Sequence, residues 1–377
     1  MTPAASAPSE NLYNALKFEL FMVLAKLKIG QLFYWMLLFV PISVLLALFD
    51  QSKTWIFITS ILAIIPLARI IGYATKEIAI QTNPSISGLF SATFGNIVEL
   101  IIAVVALSHG LIAVVKGSII GSIIGNILLL IGLSALAGGI KYRYQKFNKE
   151  AIGVSSTMLI IVIAGLSIPT VYQLVNPAGQ SIQLLSGAVA VVMALIYVAG
   201  LFFTLKTHRD LFDASDEIRA TKEGPSLSKK TAAIMLFIAT VVVALESELL
   251  VSGISSAALN LGIRETFIGA VIIAIITNVA EKSTAIHFAL KNKLDVAIEI
   301  GLSSAIQIAL FVVPILIAAS YFIGHEFSLV FSMFEIIALF FAVMIVNHLA
   351  ADGKCNWLEG AQLISVYLII IIAFFFL

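Results

Sequence analysis

The sequence predicts an all-α polytopic membrane protein with eleven transmembrane helices. Of its 377 residues, 60% are hydrophobic and only 11% are charged, with a mean hydropathy of +1.09. A water-soluble domain of this length cannot bury that much apolar surface. The apolar residues also form runs about 20 residues long, the length that a helix needs to cross a bilayer. Because backbone groups inside a bilayer must be hydrogen-bonded internally, these runs are expected to be helices.

Eleven such runs follow one another along the chain. The fourth is rich in glycine, with Gly117, Gly121, Gly125 and Gly132, which predicts close packing against neighbouring helices. The predicted spans are 32–49, 55–73, 88–108, 112–138, 151–172, 182–205, 231–252, 266–290, 295–322, 329–348 and 360–377.

Basic residues are distributed unevenly between the two sets of loops. With the N-terminus placed inside, seventeen of the 22 Lys and Arg residues fall in inner segments, and only Lys53, Lys116 and Arg264 fall in outer ones. The positive-inside rule therefore predicts a cytoplasmic N-terminus, and an odd number of spans places the C-terminus on the opposite side. We favour the cell's inner membrane, although the sequence does not identify the membrane. Residues 12–29 resemble a short amphipathic helix on its surface.

The longest hydrophilic segment, 206–230, separates the sixth and seventh spans and mixes acidic with basic residues. We interpret it as a cytoplasmic linker, with a regulatory cation site as the weaker alternative. The predicted divisions are an amphipathic segment with a leading helix at 1–50, a first five-helix repeat at 51–205, the linker at 206–230, and a second five-helix repeat at 231–377.

One set of polar residues occurs twice within the apolar runs. Asn96, Glu99 and Ser122 each have an identical counterpart 182 positions later, which gives Asn278, Glu281 and Ser304. A charged residue at membrane depth costs roughly 2.5–3.5 kcal/mol on insertion scales, so such residues are usually functional. Five predicted crossings separate the two copies, so the copies have opposite orientations. This is the inverted-topology repeat of secondary transporters, whose site lies near the bilayer midplane.

The duplicated residues suit a hard cation. Asn96 and Glu99 are three residues apart and share one face of a helix, and Gln307 follows Ser304 at the same spacing. Carboxylates, amide oxygens and hydroxyls are the oxygen ligands that Ca²⁺ prefers. A proton and a cation compete for a buried carboxylate, so the two glutamates would couple cation to proton. The alternative is a pair of interhelical hydrogen-bonding residues without a transport role.

Other polar residues carry weaker signals. Glu77 and Glu248 could relay protons or attract cations, or could equally point to water. For Glu246, Glu299 and Glu335 the structural interpretation is favoured, and His287 is expected to be a packed histidine. Nothing in the sequence suggests a cofactor, and the net charge of +1 gives no reason to expect a nucleic-acid partner. The bilayer and the transported ions are the expected partners, and a homo-oligomer is left open.

Longer motifs around the duplicated residues carry a family resemblance. GNIVELIIAVVAL at 95–107 and GSIIGNILLLIG at 121–132 resemble the first signature of the Ca²⁺/H⁺ exchangers in the calcium/cation antiporter superfamily. NVAEKSTAIHFALKNKLD at 278–295 and SSAIQIALFVVP at 303–314 resemble the second. The resemblance implies one leading helix and two inverted five-helix repeats. It also implies that Glu99 and Glu281 are the central ion-binding acids, supported by Asn96, Asn278, Ser122, Ser304 and Gln307, with Glu77 and Glu248 along the ion path.

The second signature departs from the family pattern. Thr277 and Ser303 replace usual glycines, Ala274 replaces a usual proline, and Gly125 stands where the repeat would match Gln307. Lys282 replaces the usual histidine beside Glu281 and would oppose a divalent cation if it faced the site. Adjacent helical residues point about 100° apart, so Lys282 could instead face another acid or a cavity. We expect it to tune ion choice or pH dependence.

The leading hypothesis is a secondary Ca²⁺/H⁺ antiporter with Ca²⁺ as transported substrate. An antiporter for Na⁺, K⁺ or another divalent cation is the first alternative, and a cation channel is the second. An intramembrane enzyme has little support because neither HExxH nor GxSxG occurs. A primary pump is disfavoured because the sequence has no GxxxxGK[ST] motif.

Overall fold

A computed structural model describes residues 31–177, 181–208, 211 and 225–377. The predicted amphipathic helix at 12–29 and most of the linker at 206–230 lie outside these residues.

The described chain is almost entirely helical. We number its helices α1 to α14 and its two short strands β1 and β2. The helices are α1 Gln31–Met36, α2 Phe39–Leu48, α3 Lys53–Ile80, α4 Pro84–Phe94, α5 Ile97–Ser108, α6 Ile112–Lys141, α7 Lys149–Val175, α8 Ile182–Thr207, α9 Lys229–Leu261, α10 Glu265–Thr277, α11 Val279–Ala289, α12 Leu294–Ile323, α13 Met333–Asp352 and α14 Trp357–Phe376, and the strands are β1 Gln145–Lys146 and β2 Lys354–Cys355.

Eight of the described helices are long and apolar enough to cross a membrane: α3, α6, α7, α8, α9, α12, α13 and α14. The pair α10–α11 passes the same test as one bent span, which gives nine. Two further apolar stretches are shorter. They are Leu32–Leu48, which runs through α1 and α2, and Ile97–Ser108, which is α5. The protein therefore has a multi-span membrane fold, while the count of eleven stays a prediction.

Side-chain caps define where several helices begin. Asn83, Asn148 and Ser228 accept hydrogen bonds from the first turns of α4, α7 and α9. Ser332 and Asn356 form complete capping boxes with Glu335 and Glu359, so each satisfies backbone groups that the helix leaves free. These caps place polar residues at helix ends, as the alternation of apolar runs and polar loops predicts.

Besides the leading span at 32–49, which divides into α1 and α2, two predicted spans that carry the duplicated residues are broken in the middle. The span predicted at 88–108 separates into α4 and α5, and the span predicted at 266–290 separates into α10 and α11 with a bend of 55°. Asn96 and Asn278 occupy the two breaks, with φ/ψ of −111°/29° and −96°/12°. Thr277 and Ala274 stand where the family usually has glycine and proline, yet the second break still forms.

Small residues let α6 approach α10 at backbone distance. A Cβ atom built on Gly121 would lie 2.0 Å from the carbonyl oxygen of Ala270, and one on Gly269 would lie 2.3 Å from that of Val114. Gly132 and Gly360 allow a similar contact between α6 and α14. The expectation that glycines in the 112–138 run support close packing is confirmed for Gly117, Gly121 and Gly132, whereas no heavy atom lies within 4 Å of a Cβ built on Gly125.

The described chain contains four short π-helical segments. Three lie within helices, Gly125–Leu130 in α6, Ile268–Ile273 in α10 and Ile308–Val312 in α12, and the fourth, Phe203–Thr207, ends α8. Such segments frequently occur at functional sites, because they redirect the side chains that follow them. The segments in α6 and α12 begin three or four residues after Ser122 and Ser304, so both lie beside the duplicated polar residues.

We predict that Gly121→Ala weakens the fold. The added methyl group meets backbone atoms of Ala270, which cannot move without separating α6 from α10, and overpacking of this kind costs about 1–3 kcal/mol. The apparent melting temperature of the purified protein should fall. Gly72→Ala in α3 is the matched control, because no heavy atom lies within 4 Å of its added Cβ. Equal melting temperatures for the two variants would contradict the proposed packing.

The single cysteine is predicted to be unreactive in the folded protein. Cys355 lies in β2 and is 1% exposed, and burial, together with the charge of Glu359, raises the pKa of its thiol to about 12. Since the thiolate is the reactive form, maleimide labelling near neutral pH should be slow for native protein and rapid after denaturation. Rapid labelling of the native protein would show that this strand is open.

Candidate functional site

Glu99 and Glu281 occupy equivalent positions beside the two helix breaks. Asn96 precedes α5 and Glu99 lies in its first turn, while Asn278 precedes α11 and Glu281 lies in its first turn. The N-terminus of a helix carries a partial positive charge, so each break favours a negative charge at its carboxyl group. The Asn-x-x-Glu spacing therefore places an amide and a carboxyl group at each of two helix ends inside the membrane fold.

The first break is hydrogen-bonded to the opposite half of the chain. Asn96 Nδ2 donates to Gln307 Oε1 at 2.8 Å, and the hydroxyl of Ser304 donates to Asn96 Oδ1 at 3.1 Å. Both partners lie on α12. The break between α4 and α5 is thus held by the helix that carries the second copy of the serine.

The second break makes the reciprocal contacts. Asn278 Nδ2 lies 3.5 Å from the hydroxyl oxygen of Ser122 on α6 and donates to the carbonyl oxygen of Ala274 at 3.0 Å. Asn126 on α6 donates to Ser304 at 2.9 Å and approaches Asn278 Oδ1 at 3.4 Å. One continuous network therefore joins both breaks through α6 and α12.

The two carboxyl groups lie within this network and are electrostatically coupled. Glu281 interacts with the charge of Glu99 and lies near Ser304, and Glu99 lies near Thr277. Oε2 of Glu281 is buried and makes no hydrogen bond within the described part of the chain. The structure thus brings together Glu99, Glu281, Asn96, Asn278, Ser122, Ser304 and Gln307, all seven of the residues expected to bind a cation.

Lys282 also faces this centre. Its side chain is buried, with 7% of its surface exposed, and its ammonium group lies 3.5 Å from the carbonyl oxygen of Ala274. It interacts electrostatically with both Glu281 and Glu99. Lys282 therefore does not point away from the two acids, and the site contains two carboxyl groups and one amine.

A narrow cavity reaches Glu99 along α5. Ala103 and Ser118 lie on the side of Glu99 that leads to the turn at 109–111, so the cavity extends from the centre toward that end of the bundle. Its lining residues are Glu99, Ala103, Ser118, Ile119, Ser122, Ile273, Ile308 and Val312.

The donor set fits a hard cation. Carboxylate, amide and hydroxyl oxygens surround the two acids, which is the chemistry that Ca²⁺ and other hard cations prefer. Two buried oxygens of the network, Glu281 Oε2 and Asn126 Oδ1, have no hydrogen-bond partner among the described residues. Leaving a buried acceptor unsatisfied costs about 1–3 kcal/mol, and coordination of a cation would satisfy both.

Glu77 and Glu248 lie outside the central network. Oε2 of Glu77 accepts hydrogen bonds from the backbone N–H groups of Ser226 and Leu227, at 2.9 and 3.0 Å, and so fixes the segment that leads into α9. Glu248 is more than half exposed and lies 3.2 Å from Nε2 of His109. Their assignment to the ion path remains a prediction.

Sequence reasoning missed two residues of the network. Asn126 is fully buried and joins the two copies, and Thr277 approaches Glu99. Asn126 has an available signal, since it is an amide inside an apolar run, four residues after Ser122. The duplicated pattern does not include Asn126, because the position 182 residues later is Ile308.

Comparison with known proteins establishes the family. The pattern of the sodium/calcium exchanger proteins matches residues 52–206 and 231–376. The chain belongs to this family. Within it, a Ca²⁺/H⁺ antiporter of Aphanothece halophytica is 40% identical over 359 residues, which cover 92% of this chain and 96% of that protein. The Ca²⁺/H⁺ antiporter ChaA of Bacillus subtilis is 42% identical over 340 residues, which cover 90% and 97%.

A solved structure of the exchanger family has the same fold. The structure of native YfkE superimposes with a TM-score of 0.81 at 39% identity, covering 92% of this chain and all of that one. The resemblance to the Ca²⁺/H⁺ exchangers is thereby confirmed, as is the membership of a family of membrane antiporters.

We predict that removing the charge of Lys282 strengthens cation binding. The ammonium group interacts electrostatically with both acids, so it repels a cation bound between them, and the effect is larger for a divalent than for a monovalent ion. Lys282→Met should tighten Ca²⁺ binding on the order of tenfold, with a smaller gain for Na⁺ and K⁺. Calorimetry with each ion over a pH series measures the change.

Lys282→Arg is the matched control, because it retains the charge, and Lys282→His tests the side chain that is usual in the family. If the Met and Arg variants have the same ion affinities and pH profiles as the unmutated protein, the charge of Lys282 is not felt at the site.

Proposed function

We propose that the protein is a secondary active antiporter that exchanges Ca²⁺ for H⁺ across a membrane by alternating access. The observation that carries this proposal is the pair of coupled acids, Glu99 and Glu281, in one network of neutral oxygen ligands. Relatives that cover nearly the whole chain are named as Ca²⁺/H⁺ antiporters, which supports the same ions. No cofactor is needed, and no enzymatic reaction is assigned.

We further propose two inverted five-helix repeats after a leading helix, with eleven spans in total. Three features support this arrangement. Both copies break at the same asparagine, α6 and α12 each contain a π-helical segment shortly after the duplicated serine, and the contacts between copies are reciprocal. The family matches at 52–206 and 231–376 agree closely with the predicted repeats at 51–205 and 231–377. The eleven spans include the short leading helix and the pair α4–α5.

In this mechanism Glu99 and Glu281 bind either protons or the cation. Two neighbouring negative charges repel each other, so in the absence of a cation at least one proton or the charge of Lys282 must compensate them. Ca²⁺ would displace that proton and take oxygens from Glu281 and Glu99, with Asn96, Asn278, Ser122, Ser304, Gln307 and Asn126 as supporting ligands. Return of protons from the opposite side would release the cation.

Access to the site would alternate between the two faces. The cavity that reaches Glu99 along α5 supports access from one end of the bundle, and Glu248 lies on α9 near that end. Glu77 lies at the other end, where it holds the start of α9. We place the N-terminus in the cytoplasm and the C-terminus on the opposite side, on the distribution of basic residues.

The buried amine of Lys282 supports a second choice of transported ion. With Lys282 charged, two ionised carboxylates leave a net charge of −1, which a monovalent cation balances and a divalent cation exceeds. Exchange of Na⁺ or K⁺ for H⁺ is therefore the alternative that a specific residue supports. Parallel transport assays with Ca²⁺, Na⁺ and K⁺ under one imposed pH gradient distinguish the two.

We predict that Glu99→Gln and Glu281→Gln each abolish exchange. Glutamine keeps the shape of the side chain but can neither carry a proton nor supply a charged ligand. Uptake of Ca²⁺ into proteoliposomes, driven by a pH gradient, should fall to the level of empty vesicles. Glu335→Gln is the control, because Glu335 is a buried acid that caps α13.

Uptake near the unmutated rate in either central variant would refute the proposed site. Counterflow of labelled Ca²⁺ into vesicles loaded with unlabelled Ca²⁺, without a pH gradient and with the membrane potential clamped at zero, distinguishes a carrier from a channel, since only a carrier then accumulates label.

A further inference from the structure

A third membrane-embedded acid lies apart from the central pair. Glu246 on α9 is 1% exposed, and both of its carboxyl oxygens face α2, the second part of the leading helix. The hydroxyl oxygen of Ser43, itself fully buried, lies 2.7 and 2.9 Å from the two carboxyl oxygens. Ser60 of α3 lies nearby without forming a hydrogen bond of normal geometry.

The surroundings of Glu246 differ from those of two other buried glutamates. Glu77 accepts two backbone N–H groups, and Glu335 accepts the backbone N–H and the hydroxyl of Ser332. Those donors stabilise an ionised carboxylate. Among the described residues, Glu246 is hydrogen-bonded to the hydroxyl of Ser43, with the Ser60 hydroxyl nearby and no backbone N–H donor. A hydroxyl can donate one proton at most.

The hydroxyl proton of Ser43 has a second acceptor within reach besides Glu246. The hydroxyl oxygen of Ser43 lies 2.8 Å from the carbonyl oxygen of Val40. If Glu246 is a neutral acid, its O–H donates to Ser43 and the hydroxyl of Ser43 donates to Val40, so both protons have an acceptor and no charge is buried. If Glu246 is ionised, Ser43 can serve only one of its two acceptors, and a buried charge is left without a compensating partner.

No opposite charge compensates Glu246 within the described part of the protein. Its hydrogen-bond partner is Ser43, with Ser60 nearby, and no Lys, Arg or His nitrogen of the described residues forms an ion pair with it. On the helices packed against α9, Lys53 and Lys76 of α3 are exposed to the surroundings. The other charged groups there are engaged elsewhere: Arg69 over the ring of Phe33, Glu77 with the amides of Ser226 and Leu227, Glu99 with Thr277 and Lys282, His109 with Glu248, and Glu265 with Ser255.

Glu246 also stands outside the duplicated pattern. The position 182 residues earlier is Ile64, a buried apolar residue of α3. Its partner Ser43 belongs to the leading helix, which precedes both parts of the chain that match the family. The contact between α2 and α9 is therefore particular to one half of the molecule.

We propose that Glu246 is a proton-binding site, separate from Glu99 and Glu281, whose acid proton holds α9 against the leading helix. The proton is the ligand, Ser43 is its acceptor, and the site is occupied in this conformation. Movement of α9 away from α2 would remove the acceptor and expose the acid, so the position of α9 becomes linked to the binding of this proton. The proposal does not depend on which cation the protein transports.

Infrared difference spectroscopy of the full-length protein in lipid nanodiscs at neutral pH tests this directly. The C=O stretch of a neutral carboxylic acid is resolved from the stretches of a carboxylate. The spectrum of the unmutated protein minus that of Glu246→Gln should contain one acid band and no carboxylate band. Glu335→Gln is the matched control and should remove a carboxylate band instead.

Ser43→Ala provides an independent test, because it removes the acceptor and leaves Glu246 in place. The same acid band should remain but change its frequency. Loss of carboxylate intensity in Glu246→Gln would overturn the proposal, as would an acid band that Ser43→Ala leaves unmoved. Neither measurement involves transport, so a failure of the proposed Ca²⁺/H⁺ exchange would be seen separately in the vesicle assay.

Discussion

The site depends on hydrogen bonds that join each of two broken helices to the opposite half of the chain. A helix that breaks inside a bilayer frees backbone groups that lipid cannot satisfy. Here the asparagine at each break contacts a polar residue of the other half: Asn96 is bound by Ser304 and Gln307, and Asn278 approaches Ser122 and Asn126. Neither break is stabilised by its own half alone, so the two halves must assemble before either acid is positioned.

Burying two carboxyl groups at the centre costs free energy, and neighbouring groups of the fold offset part of that cost. The carboxyl groups of Glu99 and Glu281 lie at helix N-termini, where the field favours negative charge, and the amine of Lys282 interacts electrostatically with both. Close contact of α6 with α10, through Gly121 and Gly269, brings the two breaks within reach of each other. A methyl group at that crossing would separate the helices that complete the network.

The buried glutamates of this protein show that burial by itself does not assign a role. Glu77 and Glu335 receive backbone N–H groups and serve as fixed anchors at helix ends. Glu281 has one oxygen without a hydrogen-bond partner among the described residues, and that oxygen can accept an incoming ligand. Glu246 is hydrogen-bonded to the hydroxyl of Ser43 and has the Ser60 hydroxyl nearby. The hydrogen-bond donors around a carboxyl group distinguish a structural glutamate from one that can bind a proton or a cation. The extent of its burial does not.

The sequence alone determined the membrane class, the helical architecture and seven residues that the structure brings together. Hydropathy, helical spacing and an internal duplication are all properties of the order of residues along the chain. The sequence could not find Asn126, which has no duplicate, or decide the direction of Lys282, which depends on the rotation of a helix after a 55° bend. It left the role of Glu77 open and favoured a structural role for Glu246, but it could not show which donors surround either carboxyl group. Tertiary structure decided these points, because hydrogen-bond partners from distant segments meet only when the helices pack.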